Sequence, residues 1–260
     1  MTPAELRRLA SEGKFDAPTA GCCDGHVQAN LVALPAAYAA DFEKFCRANP
    51  KPCPLLETVG PGTSKTAKLA PGADLANTLP RYRVWIDGEM RHEVADIRGF
   101  MRPDLVFFLL GCSFSFEEAL IKAGISLRHV AEKKNVSMYR TSIPLTPVGP
   151  FHGEMVVSMR PIHRTQVARA CIITGRYPEV HGEPVHVGYP GMIGIRDIAT
   201  PEYGDPVAIL KDEIPVFWAC GVTPQNVLLK ARLPFAVTHA PGYMFVSDLK
   251  NEAYAVQGGN

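Results

Sequence analysis

No apolar stretch of this chain is long enough to cross a bilayer; the longest run, LVFFLLGC from Leu105 to Cys112, falls far short of a span. No charge excess exists either, since 27 Lys and Arg stand against 26 Asp and Glu. A formal net charge of +1 in a chain of 260 residues gives no footprint for nucleic acid, and no acidic or basic block forms a tail. Cys-x-x-Cys is absent, which removes the main support for a zinc ribbon or a thioredoxin-like motif. Also absent are G-x-x-x-x-G-K-[ST], G-x-G-x-x-G after a strand, and G-x-S-x-G. ATP-driven, nicotinamide-dependent and serine-hydrolase chemistry lose their usual signatures. The opening MTPAELRRLASEGKF has no apolar core before a small-residue cleavage site, so a cytoplasmic protein without a secretory leader is expected.

What remains is a globular chain with 47% hydrophobic residues, 22 glycines and 23 prolines, the last two implying many loops of specified shape. Seven scattered cysteines fit reduced thiols better than a disulfide framework. Thr2-Pro3-Ala4-Glu5 opens a short helix with a capping box, a strand is expected over 27–34, and a helix over 35–47. From Pro50 to Pro80 the chain reads as a long connection, functional or wrapped over the surface. RYRVWI, Asp87-Gly88 and EMRHEV form an edge hairpin.

Two later segments share a grammar. LVFFLLG leads through Cys112 and Ser113 into SFEEALIKAG, and PVFWA leads through Cys220 and Gly221 into TPQNVLLKA. Each reads as buried strand, tight turn and helix, with Ser115 and Glu118 as a capping box in the first and Thr223 as N-cap in the second. SMYRTSI and GEMVVSMRP are strand-like, and a helix is expected over 163–174. Alternating strands and helices give an α+β (mixed α/β) class, with a mixed sheet, flanking helices and two intertwined subdomains. The expected division is 1–102 with 206–260 as an outer unit and 103–205 as an insert.

A strand–turn–helix presents free N–H groups and a positive dipole end, which suits a carboxylate and lowers the pKa of a thiol there. Cys112 and Cys220 both qualify as nucleophile or acid/base thiols, although burial as small apolar side chains explains either one. Arg140, Arg160 and Arg176 lie in strand-like surroundings where a guanidinium needs a partner, either a substrate carboxylate or an internal acid such as Glu154. Tyr139, Thr141 and Ser142 add donors around Arg140. His181 and His186 share a Pro/Gly-rich loop, and His239 ends a strand; each suits acid/base work, and each also suits a satisfied structural role. Glu117 and Glu118 lie in the first turn after Cys112, where one carboxylate caps and the other can face the anion pocket. Asp205 either joins them or holds a turn.

The ordered blocks PTAGCCDGHVQANLV, NPKPCPLLE, LPRYRVW, GCSFSFEEAL, NVSMYRTSI, GPFHGEMVVSMRP, VHGEPVHVGYP, PVFWACGVTPQ and THAPGYMFVSDL, running from about residue 16 to 248, resemble a hydro-lyase family related to D-glutamate cyclase. The family pattern usually reads Gly-Asp-Pro where this chain has Gly188-Tyr189-Pro190, and histidine where it has Tyr243. The resemblance implies two intertwined α+β subdomains and a lyase that eliminates water from a small acidic amino or carboxylic acid. By relation to the mitochondrial cyclase, which carries an additional domain, it implies conversion of D-glutamate to 5-oxo-D-proline.

That reaction needs an acceptor for an amine proton, donors for an oxyanion and a proton for the departing hydroxide. Glu117, His181, His239 and Cys220 are the catalytic candidates. Ser113, Arg140, Thr141, Arg160 and Thr223 are the substrate-binding candidates. The scheme calls for no metal and no cofactor. Other readings are an isomerase or racemase with Cys112 and Cys220 as opposed thiols, or a non-catalytic binder of an acidic metabolite. A small acidic molecule is the expected partner, with neither nucleic acid nor membrane; a homodimer is expected on frequency alone.

Overall fold

The apolar run of Leu105–Gly111 determines the layout, because a strand buried on both faces needs a layer on each side. In the computed structural model, which describes residues 1–256, two antiparallel sheets and their helices supply those layers. In chain order the elements are α1 (Pro3–Ser11), β1 (His26–Pro35), α2 (Ala36–Ala48), β2 (Leu55–Val59), β3 (Tyr82–Ile86), β4 (Glu89–Val94) and β5 (Leu105–Gly111). There follow α3 (Phe114–Lys122), α4 (Arg128–Ala131), β6 (Ser137–Pro144), β7 (Glu154–His163) and α5 (Val167–Gly175). The chain ends with β8 (His186–Val187), β9 (Glu213–Ala219), α6 (Thr223–Ala231), β10 (Ala236–His239) and β11 (Phe245–Lys250).

The first sheet has the order β2-β5-β1-β10-β3-β4, and β11 pairs with the first half of β1. The second has the order β6-β7-β9-β8. Alternate residues of β5 split between two cores. Val106, Phe108 and Leu110 join Val157, Met159, Phe217 and Ala219 of the second sheet and Phe42 and Phe45 of α2. Leu105, Phe107 and Leu109 face Leu69, Ala70, Leu75 and Leu79. The Pro50–Pro80 connection therefore wraps one face of the first sheet, and it also contributes β2, a short half-buried edge strand absent from the sequence reading. A third core lies on the far face of the second sheet, where Phe116 and Leu120 of α3 and Ala170 of α5 cover Ile162, Val216 and Trp218.

The α+β class holds, but the parallel component expected from strand–helix alternation does not appear among the described pairings. The helix after β5 leads into the other sheet, so no parallel neighbour results from that crossover. Sheet membership puts β5 with the first sheet and β9 with the second. The hairpin of β3 and β4 turns at Asp87-Gly88, both with positive φ, and β4 is exposed as an edge should be. At the N-terminus Thr2 Oγ1 accepts from the Glu5 N–H at 3.2 Å, as the capping box requires.

Candidate active site

Strands β5 and β9 end at the same place from different sheets, and each runs through a cysteine turn into a helix. Between the turns lies a nearly closed cleft, a cavity of about 10 Å³ with room for about one water, lined by Cys112, Ser113, Cys220, Val222, Asn30 and His239, so a larger ligand enters only where the turns part. The N–H of Ser115 returns to the Cys112 carbonyl at 3.0 Å, and that of Thr223 returns to the Cys220 carbonyl at 3.0 Å. Among the described residues, the N–H groups of Ser113 and Gly221 have no acceptor, while those of Phe114 and Val222 meet the Cys112 and Cys220 sulfurs. Two positive helix ends thus meet over one space, an arrangement that favours an anion.

The capping residues differ from the sequence expectation. Ser113 and Val222, not Ser115 and Thr223, precede the helices, both in the helical region and without a side-chain cap bond. Ser115 Oγ instead accepts from the Gln28 N–H at 3.0 Å, and Glu118 pairs with Lys122 at 2.7 Å. Thr223 Oγ1 donates to the Cys220 carbonyl at 2.6 Å and accepts from the Val156 N–H at 3.1 Å, tying α6 to β7.

His239 is the polar side chain best placed for chemistry. Its Nδ1 accepts from the Leu31 N–H at 3.2 Å and lies 3.3 Å from the Leu31 oxygen, and Nε2, fully buried, has no partner among the described residues. Burial holds its pKa down at about 4, so the imidazole is neutral. His181 is also buried with an unpartnered Nε2 and a pKa near 4, lowered by burial and by the Arg160 charge. It sits at φ +85°, with Nδ1 2.7 Å from the Lys51 carbonyl, behind the Cys112 turn rather than among the residues lining the cleft. His186 Nε2 lies 2.8 Å from the Tyr189 carbonyl at the edge of the second sheet.

Behind Ser113 lies a buried charge cluster. Arg160 on β7 is fully buried, and its Nε donates to Glu117 Oε1 at 2.9 Å. Nη2 donates to the same carboxylate and to Ser113 Oγ at 3.0 Å, and Nη1 donates to Ser158 Oγ at 3.0 Å. The guanidinium carbon lies 5.4 Å from the ring centroids of both Phe116 and Trp218. His129 on α4 adds its Nε2 at 2.9 Å from Glu117 Oε1. Burial alone would raise the Glu117 pKa, but the His129 and Arg160 charges overcome it and hold the carboxyl at about 2. Arg160 thus spends its donors inside the protein, on Glu117 rather than on Glu154, which pairs with Lys230.

The thiols depart from the expectation of a lowered pKa. Burial pushes Cys112 far up and Cys220 up to about 11, against the opposing N–H groups of Phe114 and Val222. Desolvation exceeds the dipole here, so both are neutral thiols near pH 7, which weighs against opposed-thiol isomerisation. Arg140 and Thr141 lie elsewhere, beside a surface cleft with Ser142, Arg196 and Glu202. Arg140 reaches Tyr203 Oη at 3.1 Å, and Thr141 Oγ1 donates to the Met155 carbonyl at 2.7 Å. Asp205 accepts from the Asn135 N–H at 2.8 Å, a turn-holding contact, and Arg176 is exposed at the end of α5.

Three polar residues of this region escape a sequence reading: Asn30, His129 and Ser158. Asn30 and Ser158 sit singly on strands inside blocks of the family resemblance that assign them no role, and His129 sits in a one-turn helix outside those blocks. Asn30 Nδ2 donates to the Gly111 carbonyl at 2.6 Å and fills the space that a Gly221 Cβ would need, only 1.9 Å away. Gly221→Ala is therefore expected to displace Asn30 and destabilise the fold by about 1–3 kcal/mol. A denaturant titration checks this; an unchanged midpoint would mean that the turn opens freely. Among the described residues no three His, Cys, Asp or Glu side chains gather as a metal site. No helix there is long and apolar enough to cross a membrane.

A family model described as D-glutamate cyclase matches residues 106–248, which contain both cysteine turns and the charge cluster. A protein of Bradyrhizobium diazoefficiens named "Putative hydro-lyase" is 54% identical over 254 residues, covering 98% of this chain and 94% of its own. One of Bacillus subtilis, with the same description, is 49% identical over 256 residues, covering 98% and 100%. A solved nitrogen repressor-like protein of Methanococcus jannaschii aligns with a TM-score of 0.39 and 10% identity over 94% of this chain and 97% of its own, too remote to bear on fold or function.

Proposed function

This chain belongs to the D-glutamate cyclase family, and from that premise we propose that it is a hydro-lyase for a small acidic amino acid, cyclising D-glutamate to 5-oxo-D-proline with loss of water. The observation that carries this reading is the meeting of two uncapped helix N-termini with the unpartnered His239 Nε2 in one cleft.

The substrate amine attacks its own γ-carboxyl carbon, so an N–C bond forms and a C–O bond breaks. The N–H groups of Ser113 and Gly221 receive the oxygen on which negative charge develops, joined by those of Phe114 and Val222 as these leave the Cys112 and Cys220 sulfurs. In the tautomer with hydrogen on Nδ1, which donates to the Leu31 carbonyl at 3.3 Å instead of accepting from the Leu31 N–H at 3.2 Å, His239 presents its Nε2 lone pair to the cleft. It passes two protons in turn from the substrate ammonium to one γ-carboxylate oxygen, which leaves as water. An empty cleft leaves His239 neutral and weakly basic; a carboxylate beside it raises its pKa toward the working range. Among the described residues no carboxylate lines the cleft, so the donors there favour the carboxylate end of the substrate.

The test is incubation of the purified protein with D-glutamate or L-glutamate, with and without chelator, following 5-oxoproline by chiral chromatography. Product above the uncatalysed rate from the D isomer alone is the expected result. No product from either isomer would overturn the assignment of substrate, and loss of the rate with chelator would overturn the metal-free scheme.

A further inference from the structure

The geometry points to Ser113 as a hydroxyl donor to the substrate carboxylate in this cleft, its direction fixed by a buried chain that runs His129–Glu117–Arg160–Ser113. Ser113 lines the cleft, is only 3% exposed and makes no cap bond to α3, so its hydroxyl is not consumed by the helix it precedes. Its Oγ accepts from Arg160 Nη2 at 3.0 Å. A hydroxyl that accepts from a guanidinium has its oxygen engaged by a cation, and its own proton must go to another acceptor. No acceptor for that proton exists among the described residues, and the small cavity of about 10 Å³ that Ser113 lines is the adjoining space. A carboxylate held by the two helix ends supplies the acceptor.

The remaining links fix the guanidinium. Arg160 cannot turn into the cleft itself, because Glu117 takes its Nε and Nη2 while Phe116 and Trp218 flank its plane. Glu117 is held from the other side by His129 Nε2 at 2.9 Å, an interaction that places the imidazole hydrogen on that nitrogen. Arg160, Glu117 and His129 are thus positioning residues, and only Ser113 touches the ligand. The two hydroxyls bound to Arg160 provide an internal comparison. Ser158 accepts from Nη1 at 3.0 Å, as Ser113 does from Nη2, but Ser158 does not line the cleft. A purely structural role for these hydroxyls makes them equivalent; a ligand role separates them.

This inference rests on the reading that the cleft receives a carboxylate, and a ligand-binding test separates the two. Glutarate, a dicarboxylate without the amine, serves as the probe in thermal-shift titrations of wild type, Ser113→Ala, Ser113→Thr and Ser158→Ala. Loss of a hydrogen bond to a charged group weakens binding about tenfold or more. Ser113→Ala is expected to show that loss, Ser113→Thr to restore most of the affinity, and Ser158→Ala to bind like wild type. Where D-glutamate turns over, Ser113→Ala is also expected to lower kcat by about a hundredfold. Equal affinity in wild type and Ser113→Ala, equal losses in Ser113→Ala and Ser158→Ala, or no wild-type stabilisation by glutarate would each overturn the inference. Glutarate binding that depends on Ser113 in a protein that forms no 5-oxoproline would uphold it while overturning the cyclisation.

Discussion

Arg160→Met is expected to destabilise the protein by about 3–5 kcal/mol, because it strands the Glu117 carboxylate in the core. Glu117 is almost fully buried, and the charges of Arg160 and His129 are what keep it ionised. A loss of that size is a large share of the 5–15 kcal/mol of a typical domain. The double variant Glu117→Gln with Arg160→Met removes the carboxylate and the guanidinium together, and it is expected to regain much of the loss, since an unpaired buried carboxylate costs more than a missing pair. Urea unfolding of the four proteins of this cycle measures the coupling. Additive losses would mean that the pair is not coupled in the folded protein. The hydroxyls of Ser113 and Ser158 remain without their donor in both variants, so recovery is incomplete.

Acid is expected to destabilise the fold well above the usual carboxylate range. His181 and His239 have folded pKa values of about 4, below the unfolded value of 6.5. As the pH falls from 6.5 toward 4, the unfolded chain takes up protons at both positions while the folded chain does not. The contribution of these residues is therefore fully present above pH 6.5 and is lost on the way down to pH 4, by about 3 kcal/mol for each histidine. Glu117, with its pKa near 2, adds a further loss between pH 4.5 and 2 as the unfolded carboxyl protonates first. The urea midpoint should fall steeply between pH 6.5 and 5, and His239→Gln should remove about half of that slope. Asparagine tolerates the positive φ of His181, so His181→Asn tests the other half. A midpoint independent of pH over that range would show that neither imidazole is held neutral by burial.

Much of this framework is legible in the chain itself. A seven-residue apolar run buried on both faces identifies β5, and PVFWA does the same for β9, so both strand–cysteine–helix units could be read before any coordinates. The cap residues could not, because each helix begins directly from its turn with its first residue already helical, and no side chain marks the start. Strand β2 is hidden in a proline- and glycine-rich stretch, where five half-buried residues leave no clear period. The thiols show where a local rule fails: a helix end lowers a thiol pKa, but complete burial outweighs it, and burial depends on the other sheet. Arg160 reads in the sequence as a guanidinium in search of a carboxylate. Its partner is Glu117, 43 residues away on α3, and the third member, His129, lies in the one-turn helix α4 that carries no signal of its own. Contacts of that kind arise from the crossing of two sheets, which no spacing along the chain records.

The cleft between the cysteine turns is the centre of the functional reading, and amide chemical shifts test it residue by residue. ¹⁵N-labelled protein titrated with D-glutamate, and separately with 5-oxo-D-proline, should show its largest shifts at the amides of Ser113, Phe114, Gly221 and Val222, with the His239 ring moving in parallel. Largest shifts around Arg140 and Thr141 instead, with those four amides unmoved, would contradict that placement and put the ligand in the surface cleft beside β6.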